Sequence, residues 1–157
     1  MDLQPDGYQS PLPWRYSSTE MRALWSEHQK RVYWRKIWAA LAQVSAEFDL
    51  ISPTQAADIS AHVEDIDLKA ATKAETELRH DLMAELVVFS AQCKVGGGVI
   101  HLGATSMDIE DNAEVLRQQA ALDLIISRLS ALLGAFAWQM RKFATTPIIA
   151  YTHLQPA

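Results

Sequence analysis

Apolar residues recur every three or four positions along most of this chain, and that spacing is typical of amphipathic α-helices. The first long stripe falls within residues 26–50 and is formed by Trp34, Ile37, Trp38, Leu41, Val44, Ser45 and Phe48. Charged residues of the same segment stay off this stripe; they are Lys30, Arg31, Arg35 and Glu47. The pattern predicts one long amphipathic helix.

Capping residues and helix breakers predict where the shorter helices begin and end. A Ser or Asp at a helix start accepts hydrogen bonds from the first free amides, and a proline fits the first turn. A capping box is predicted over Ser17-Ser18-Thr19-Glu20, and an N-cap at Ser52 before Pro53 predicts a helix that runs to about residue 62. Another helix is predicted to start at Asp65-Ile66-Asp67. A later helical stretch with Leu82, Leu86 and Phe89 is predicted to break at Gly96-Gly97-Gly98.

A second stripe follows the loop at residues 101–106 and runs from Ile109 to Phe143. One helix of about 35 residues would be about 50 Å long. This is longer than a compact domain of this size needs, so we expect further chain or other subunits to complete a bundle around it. Asp123 and Arg128 lie inside the stripe and would be costly at the centre of a bilayer, which favours a core helix over a membrane span. Thr145-Thr146-Pro147 predicts its end.

The fold class predicted from these segments is all-α, because no strand-period hairpin and no internal repeat is present. Residues 1–104 are expected to form an N-terminal helical domain, and residues 105–157 the start of a central helix-bundle domain that is incomplete in this sequence. An extended arm is expected at residues 1–16, where four residues block regular hydrogen bonding: Pro5, Gly7, Pro11 and Pro13.

Composition narrows the function classes. The formal net charge of −5 argues against a general nucleic-acid surface, because phosphate backbones are bound by fields of Lys and Arg. The start of the chain lacks the positive and apolar regions of a signal peptide. The one cysteine, Cys93, has no partner for an internal disulfide or at metal-ligand spacing. These features predict a cytoplasmic protein with neither a membrane segment nor a metal.

Four short clusters lie at predicted loops or helix starts, where side chains can face a ligand on a rigid scaffold. They are Arg15-Tyr16, Arg79-His80-Asp81, Thr105-Ser106 with Asp108, and Thr152-His153. Free amides and the helix dipole favour an anion beside Thr105 and Ser106, although Ser106 would equally serve as an ordinary helix cap.

The other clusters also allow two interpretations each. Arg79-His80-Asp81 combines a planar donor fork, a group that titrates near neutrality and a carboxylate that can fix an imidazole tautomer, so it suits a substrate clamp or a solvated turn. His153 could donate a proton to a leaving group or bond to backbone near a helix start. Arg15-Tyr16 by itself is an ordinary surface pair, and His101 is a candidate through its place in the loop beside Thr105.

Four motifs, taken together in order and spacing, carry more information than any one of them. They are W-R-Y-S-S-T-E-M, L-R-H-D-L-M-A, I-H-L-G-A-T-S-M-D-I-E-D-N-A and T-H-L-Q-P-A, and together they span nearly the whole chain from Ser10 onward. This set resembles adenylosuccinate lyases, of the fumarase/aspartase superfamily. The resemblance implies a β-elimination without a cofactor, in which fumarate is cleaved from adenylosuccinate, giving AMP, and from the succinyl-carboxamide ribotide of purine synthesis.

The same resemblance implies a nucleotide substrate, a homotetramer with a central bundle of long helices, and a role for each cluster. His153 would be the acid that protonates the departing nitrogen. The substrate-binding residues would be Thr105 and Ser106 for a succinyl carboxylate, Arg15 and Tyr16 for the phosphate, Arg79, His80 and Asp81 for the nucleotide, and Thr152 and His101 in the same pocket.

One departure from the family pattern bears on activity. The family's serine base lies in a loop with a G-S-S-x-M-P-x-K-x-N-P signature, which these 157 residues do not contain. We therefore expect this polypeptide alone to be inactive. The segment after Thr105-Ser106 also resembles the T-S-x-D-I-x-D-T-A of carboxymuconate cycloisomerases, which is one alternative function. Another is a non-catalytic helical interaction module on the lyase scaffold.

Overall fold

The structure is a computed structural model, and it describes residues 10–156 as a mostly helical chain. Its α-helices are α1 (Thr19–Leu24), α2 (Glu27–Glu47), α3 (Pro53–Ala61), α4 (Leu68–Leu78), α5 (Asp81–Gln92) and α6 (Ser106–Phe143). A π-helical turn, Leu12–Tyr16, precedes α1, and a 3₁₀ turn, Gly97–Val99, precedes α6. Two very short strands follow α6: β1 (Tyr151–Thr152) and β2 (Gln155–Pro156). The predicted all-α class is confirmed.

Side-chain caps begin several of these helices, as the sequence predicted. At α3, Ser52 Oγ accepts from the Gln55 amide at 3.3 Å, and the Gln55 side chain accepts from the Ser52 amide at 2.9 Å, which completes a capping box. Caps also form at Ser26 and Asp67. At α1 the capping hydroxyl belongs to Ser18, which accepts from the Met21 amide at 3.2 Å, and the expected cap at Ser17 is wrong by one residue.

The extended arm was predicted at residues 1–16, and the structure describes only residues 10–16 of it. Residues 1–9 lie outside the described residues. Leu12–Tyr16 forms one helical turn instead of an extended segment, and the Ser17 amide closes it with a bond of 3.1 Å to the Leu12 carbonyl. Pro13 is compatible with this turn because a proline near a helix start lacks only an amide that has no helical partner there.

The hydrophobic core is assembled from two helix pairs and the chain that leads into α6. α2 packs against α3, and α4 packs against α5. The indole of Trp38 lies 6.0 Å from the ring of Phe89, between centroids. The other large apolar side chains that are fully buried are Val32, Ile59, Leu82, Ile100 and Ile109.

The apolar stripe predicted for α2 needs a correction. Arg31 and Arg35, expected to stay off the buried face, are 3% and 0% exposed, whereas Val44 and Phe48 at the other end of the stripe are 50% and 72% exposed. The two guanidinium groups are buried because Glu85 of α5 brings a carboxylate to them. Local sequence periodicity cannot reveal a partner that lies so far along the chain.

The chain divides into two compact units, one that ends at Ala121 and one that begins at Leu122. The division falls inside α6, whose buried residues are Ile109, Ala113 and Ala121. The first turns of α6 therefore lie in the same compact unit as the N-terminal helices. The assignment of residues 105–157 to a separate bundle domain stays a prediction.

Beyond Ala121, α6 exposes a row of large apolar side chains. The row consists of Leu122, Ile125, Ile126, Leu129, Leu132, Leu133, Phe136, Met140 and Phe143. By length and composition alone α6 could cross a membrane, a test that core helices of soluble proteins also pass, but only 6% of its most apolar window is buried in the structure. The interpretation of α6 as a core helix therefore requires partners that cover this row.

The end of the described chain forms a small hairpin, although none was expected. β1 and β2 pair antiparallel with Tyr151 opposite Pro156 and Thr152 opposite Gln155. His153 and Leu154 make the connection with φ values of 49° and 64°. Two-residue hairpin turns with positive φ are usually marked by Asn or Gly, and that signal is missing from this sequence.

Candidate functional site

The Arg79-His80-Asp81 triplet forms the sharp turn between α4 and α5. Arg79 ends α4 in the left-handed region, with φ 56° and ψ 30°, and its amide donates to the Glu75 carbonyl at 2.8 Å. His80 is the N-cap of α5, and its Nδ1 accepts from the Met83 amide at 3.5 Å. The triplet lines an open cleft of about 550 Å³ together with Thr72, Glu75 and Thr76. Both predicted interpretations, a turn and a ligand-facing cluster, agree with this geometry.

Lys30 of α2 links this turn to the first turns of α6. Lys30 Nζ of α2 lies 3.8 Å from Asp81 Oδ2, and Lys30 also lines a cavity of about 260 Å³ with Met107 and Glu110 of α6. Burial raises the pKa of Glu110, and the negative charge of Asp81 raises it further. The structure therefore brings the triplet and the start of α6 to the same region of the first unit.

At the start of α6, an internal carboxylate already binds one backbone amide. Asp108 Oδ2 accepts from the Thr105 amide at 2.9 Å, and the Asp108 amide donates to the Thr105 carbonyl at 3.1 Å. Ser106 is the first helical residue, so it does not hold the cap position that sequence alone allowed. An anionic ligand at Thr105 and Ser106 would share this helix end with the Asp108 charge.

His101 is a loop residue tied to the core. Its Nδ1 lies 2.9 Å from the indole Nε1 of Trp38, and the two rings meet nearly at right angles, with an interplanar angle of 84°. Trp38 has no exposed surface, whereas His101 is half-buried. His101 therefore has one fixed edge and one edge that faces outward.

The remaining predicted residues are exposed. The guanidinium of Arg15 lies 4.5 Å from the centroid of the Trp14 ring, and Tyr16 is 72% exposed. Arg22 holds this segment in place by donating to the Ser17 carbonyl at 2.6 Å. Thr152 and His153 belong to the second unit, where His153 is exposed at the hairpin turn.

Sequence reasoning missed three residues of this region: Trp38, Lys30 and Glu110. The periodicity places Trp38 in the apolar stripe. No residue near Trp38 in the sequence indicates that its indole N–H bonds to His101. The periodicity places Lys30 on a charged face, and the motif that contains Glu110 implies no role for that residue. Across residues 10–156, no group of three His, Cys, Asp or Glu side chains is arranged to hold a metal ion.

The comparisons with known proteins agree with the motifs. No protein-family model matches this chain. Adenylosuccinate lyase of Saccharomyces cerevisiae is 36% identical over 156 residues, which are 97% of this chain and 32% of the relative. That of Schizosaccharomyces pombe is 33% identical over 154 residues, covering 96% and 32%, and that of Pyrococcus horikoshii 34% over 149 residues, covering 94% and 33%. This chain resembles one part of an adenylosuccinate lyase. It spans about a third of the length of the curated relatives it matches.

Solved structures give the same result for the fold. A fumarate lyase from Mesorhizobium sp. BNC1 superposes with a TM-score of 0.78 and 28% identity, over 90% of this chain and 34% of the other. A 3-carboxy-cis,cis-muconate lactonizing enzyme from Pseudomonas putida has the same TM-score and identity, over 93% of this chain and 34% of the other. The helical arrangement is thus that of part of a fumarate lyase superfamily member.

Proposed function

We propose that this chain is part of an adenylosuccinate lyase of purine nucleotide biosynthesis, which releases fumarate from adenylosuccinate and from the succinyl-carboxamide ribotide. The observation that carries the proposal is 36% identity to a curated adenylosuccinate lyase across 97% of the chain. The position of the Arg79-His80-Asp81 turn beside the start of α6 supports it, because a nucleotide and a succinyl group have to be held close together.

The reaction makes three demands on the protein. A base removes a proton beside a succinyl carboxylate, charge builds up on that carboxylate, and an acid protonates the departing nitrogen. His153 is the proposed acid, and Thr105 with Ser106 are the proposed carboxylate site. Hydrogen bonds at that helix end strengthen as charge accumulates on the carboxylate. They therefore stabilise the transition state more than the bound substrate, and this difference is what accelerates the reaction. Asp108 opposes ligand binding there, so the ligand must bring further favourable contacts.

The nucleotide is assigned to the other clusters. Arg15 and Tyr16 bind its phosphate, and Arg79, His80 and Asp81 orient it in the cleft between α4 and α5. His101 and Thr152 are proposed as further substrate-binding residues. The chemistry uses no cofactor, and the serine base comes from a segment with the G-S-S-x-M-P signature, so the 157 residues alone are inactive. The enzyme is cytoplasmic.

The assembled enzyme is a homotetramer. The apolar row of α6 supports this assignment, because its members between Leu122 and Phe143 are all largely exposed in the isolated chain. Monomeric soluble proteins rarely leave an apolar patch of this extent uncovered. Equivalent helices of other subunits would cover it in a central bundle.

The direct test is fumarate release from adenylosuccinate and from the succinyl-carboxamide ribotide by the complete protein, followed by absorbance. Release from either substrate is the expected result. A folded, complete protein that turns over neither purine substrate would refute the proposal.

Carboxymuconate cycloisomerisation is the second candidate, and the similarity to the Pseudomonas putida lactonizing enzyme favours it. Its substrate carries no phosphate. Arg15→Ala should therefore leave that activity largely intact, whereas it should raise the KM of a lyase that binds a nucleotide phosphate through Arg15. Measuring both reactions with the same variant separates the two candidates.

A further inference from the structure

The contact between Trp38 and His101 fixes the chemical state of the histidine. Trp38 Nε1 lies 2.9 Å from His101 Nδ1. Trp38 is fully buried, so its N–H has no water molecule of the bulk solvent as an alternative acceptor. An indole N–H can only donate a hydrogen bond, and Nδ1 must therefore present its lone pair.

This geometry selects one tautomer of His101. When Nδ1 accepts, the proton of the neutral imidazole is on Nε2. A proton on Nδ1 would set two N–H groups against each other and leave the buried indole without an acceptor, a situation that folded proteins avoid.

The opposite edge of the His101 ring is accessible. Within residues 10–156, the buried side-chain nitrogens and oxygens without a hydrogen-bond partner are Arg31 Nε, Arg35 Nη2 and Gln92 Oε1, and His101 Nε2 is not among them. The ring as a whole is half-buried. Nε2–H is therefore the group that His101 offers to a ligand.

We propose that Trp38 is a positioning residue, which holds His101 as a neutral Nε2–H donor. In this state His101 donates a hydrogen bond to a carboxylate or phosphate oxygen, and it does not act as the base, because its only lone pair is used by Trp38. The role toward a ligand rests on the proposed function. The tautomer rests on the geometry alone.

The tautomer is measured by long-range ¹H–¹⁵N correlation spectra of the ¹⁵N-labelled 157-residue chain, above the pH range in which histidine titrates. The loss of one ring pattern in His101→Gln assigns the signals. We expect a protonated Nε2 and an unprotonated Nδ1. Trp38→Phe should give a mixture of tautomers. Trp34→Phe removes another buried indole of α2 and should leave the His101 pattern unchanged, which makes it the matched control.

A protonated Nδ1 in the unmodified chain, or an unchanged tautomer in folded Trp38→Phe, would overturn the proposal. If Trp38→Phe does not fold, the unmodified chain still tests the proposal. We expect a scalar coupling across the hydrogen bond between Trp38 Nε1 and His101 Nδ1, and its absence would count against the assigned tautomer. If the tautomer is as expected but the complete protein releases no fumarate, the proposed function fails and the positioning of His101 stands.

Discussion

Arg35 Nε lies 2.6 Å from Glu85 Oε1, and neither side chain has any exposed surface. Arg31 Nη1 lies 3.1 Å from the other oxygen of the same carboxylate. One buried anion thus serves two buried cations and joins α2 to α5. Arg35 also donates to the carbonyls of His62 and Asp65, so the cluster ties the end of α3 to the same point.

Glu85→Gln should destabilise the fold severely. It keeps the shape of the side chain but leaves the buried guanidinium of Arg35 without a carboxylate partner, and breaking a buried ion pair in this way costs about 3–5 kcal/mol. Arg31 keeps its contact of 3.3 Å with Glu75. The measurement is the free energy of unfolding in urea. The control is Glu64→Gln, which breaks the exposed pair of Lys36 and Glu64 at 3.6 Å and should cost at most about 1 kcal/mol. Equal effects of the two variants would contradict the central role of Glu85.

The Glu85 cluster also shows where sequence interpretation succeeds and where it stops. Helix boundaries were predicted well because their causes are local: Ser52 caps the helix that Pro53 begins, and the long stripe ends before Pro147. The burial of Arg35 has a cause 50 positions away, in a carboxylate that no local pattern connects to it. Hydrophobic periodicity therefore predicted the helix correctly, but it placed the charged side chains of Arg31 and Arg35 on the exposed face, where they do not lie.

In the candidate site, too, local features could be predicted from the sequence and contacts between distant residues could not. The placement of Arg79-His80-Asp81 at a turn could be predicted because the motif is short and local, whereas its role toward a ligand stays a prediction. The bond from Trp38 to His101 spans 63 positions, and it joins a residue assigned to the core with one assigned to a loop. The hairpin at His153 was missed for another reason, since its turn uses residues that seldom adopt positive φ.

Asp58 should make the fold sensitive to acid. Its Oδ2 accepts from the amides of Gly96 and Val95, each at 2.8 Å, and these bonds hold the pKa of Asp58 below its ordinary value of 3.8. Because the pKa is lower in the folded state, the carboxylate stabilises the fold above the unfolded-state value, and this contribution is lost as pH falls through the folded-state pKa.

Asp58→Asn should therefore be less stable than the unmodified chain at neutral pH, and the difference should narrow as the pH falls below 3.8. Urea unfolding at a series of pH values measures it. Asp49→Asn removes an exposed carboxylate that lacks these two amide bonds, and it should not reproduce the pattern. A difference for Asp58→Asn that is independent of pH would show that the carboxylate charge is not the cause.

Arg79→Gly should separate stability from ligand binding. Arg79 has φ 56°, a conformation that costs a residue with a Cβ about 1–2 kcal/mol, and glycine relieves part of that cost. We expect a small gain in the free energy of unfolding and, in the complete enzyme, a higher KM for adenylosuccinate. Asp49→Gly, at φ 58°, is the matched control. It should also gain stability, by less because Asp tolerates this region better, without any change in KM.

The apolar row of α6 should make the isolated chain self-associate. Leu129→Glu places a charge in the middle of the row and should shift sedimentation toward the monomer, because burying an unpaired carboxylate in an apolar interface is unfavourable. Ser127→Glu puts the same charge on the opposite side of the helix and should leave association unchanged. An unmodified chain that sediments as a monodisperse monomer would contradict the proposed bundle.

His153→Gln in the complete enzyme should lower turnover by about 10² or more with a modest change in KM, because a general acid contributes to the chemical step and not chiefly to binding. The hairpin supplies a control. Leu154 has φ 64°, and Leu154→Asn suits that conformation better, so this variant should keep the turn and the turnover. Loss of turnover in both variants would mean that the reaction depends on the shape of the turn. Near-normal turnover of His153→Gln would remove the imidazole from the mechanism and leave the departing nitrogen to another acid.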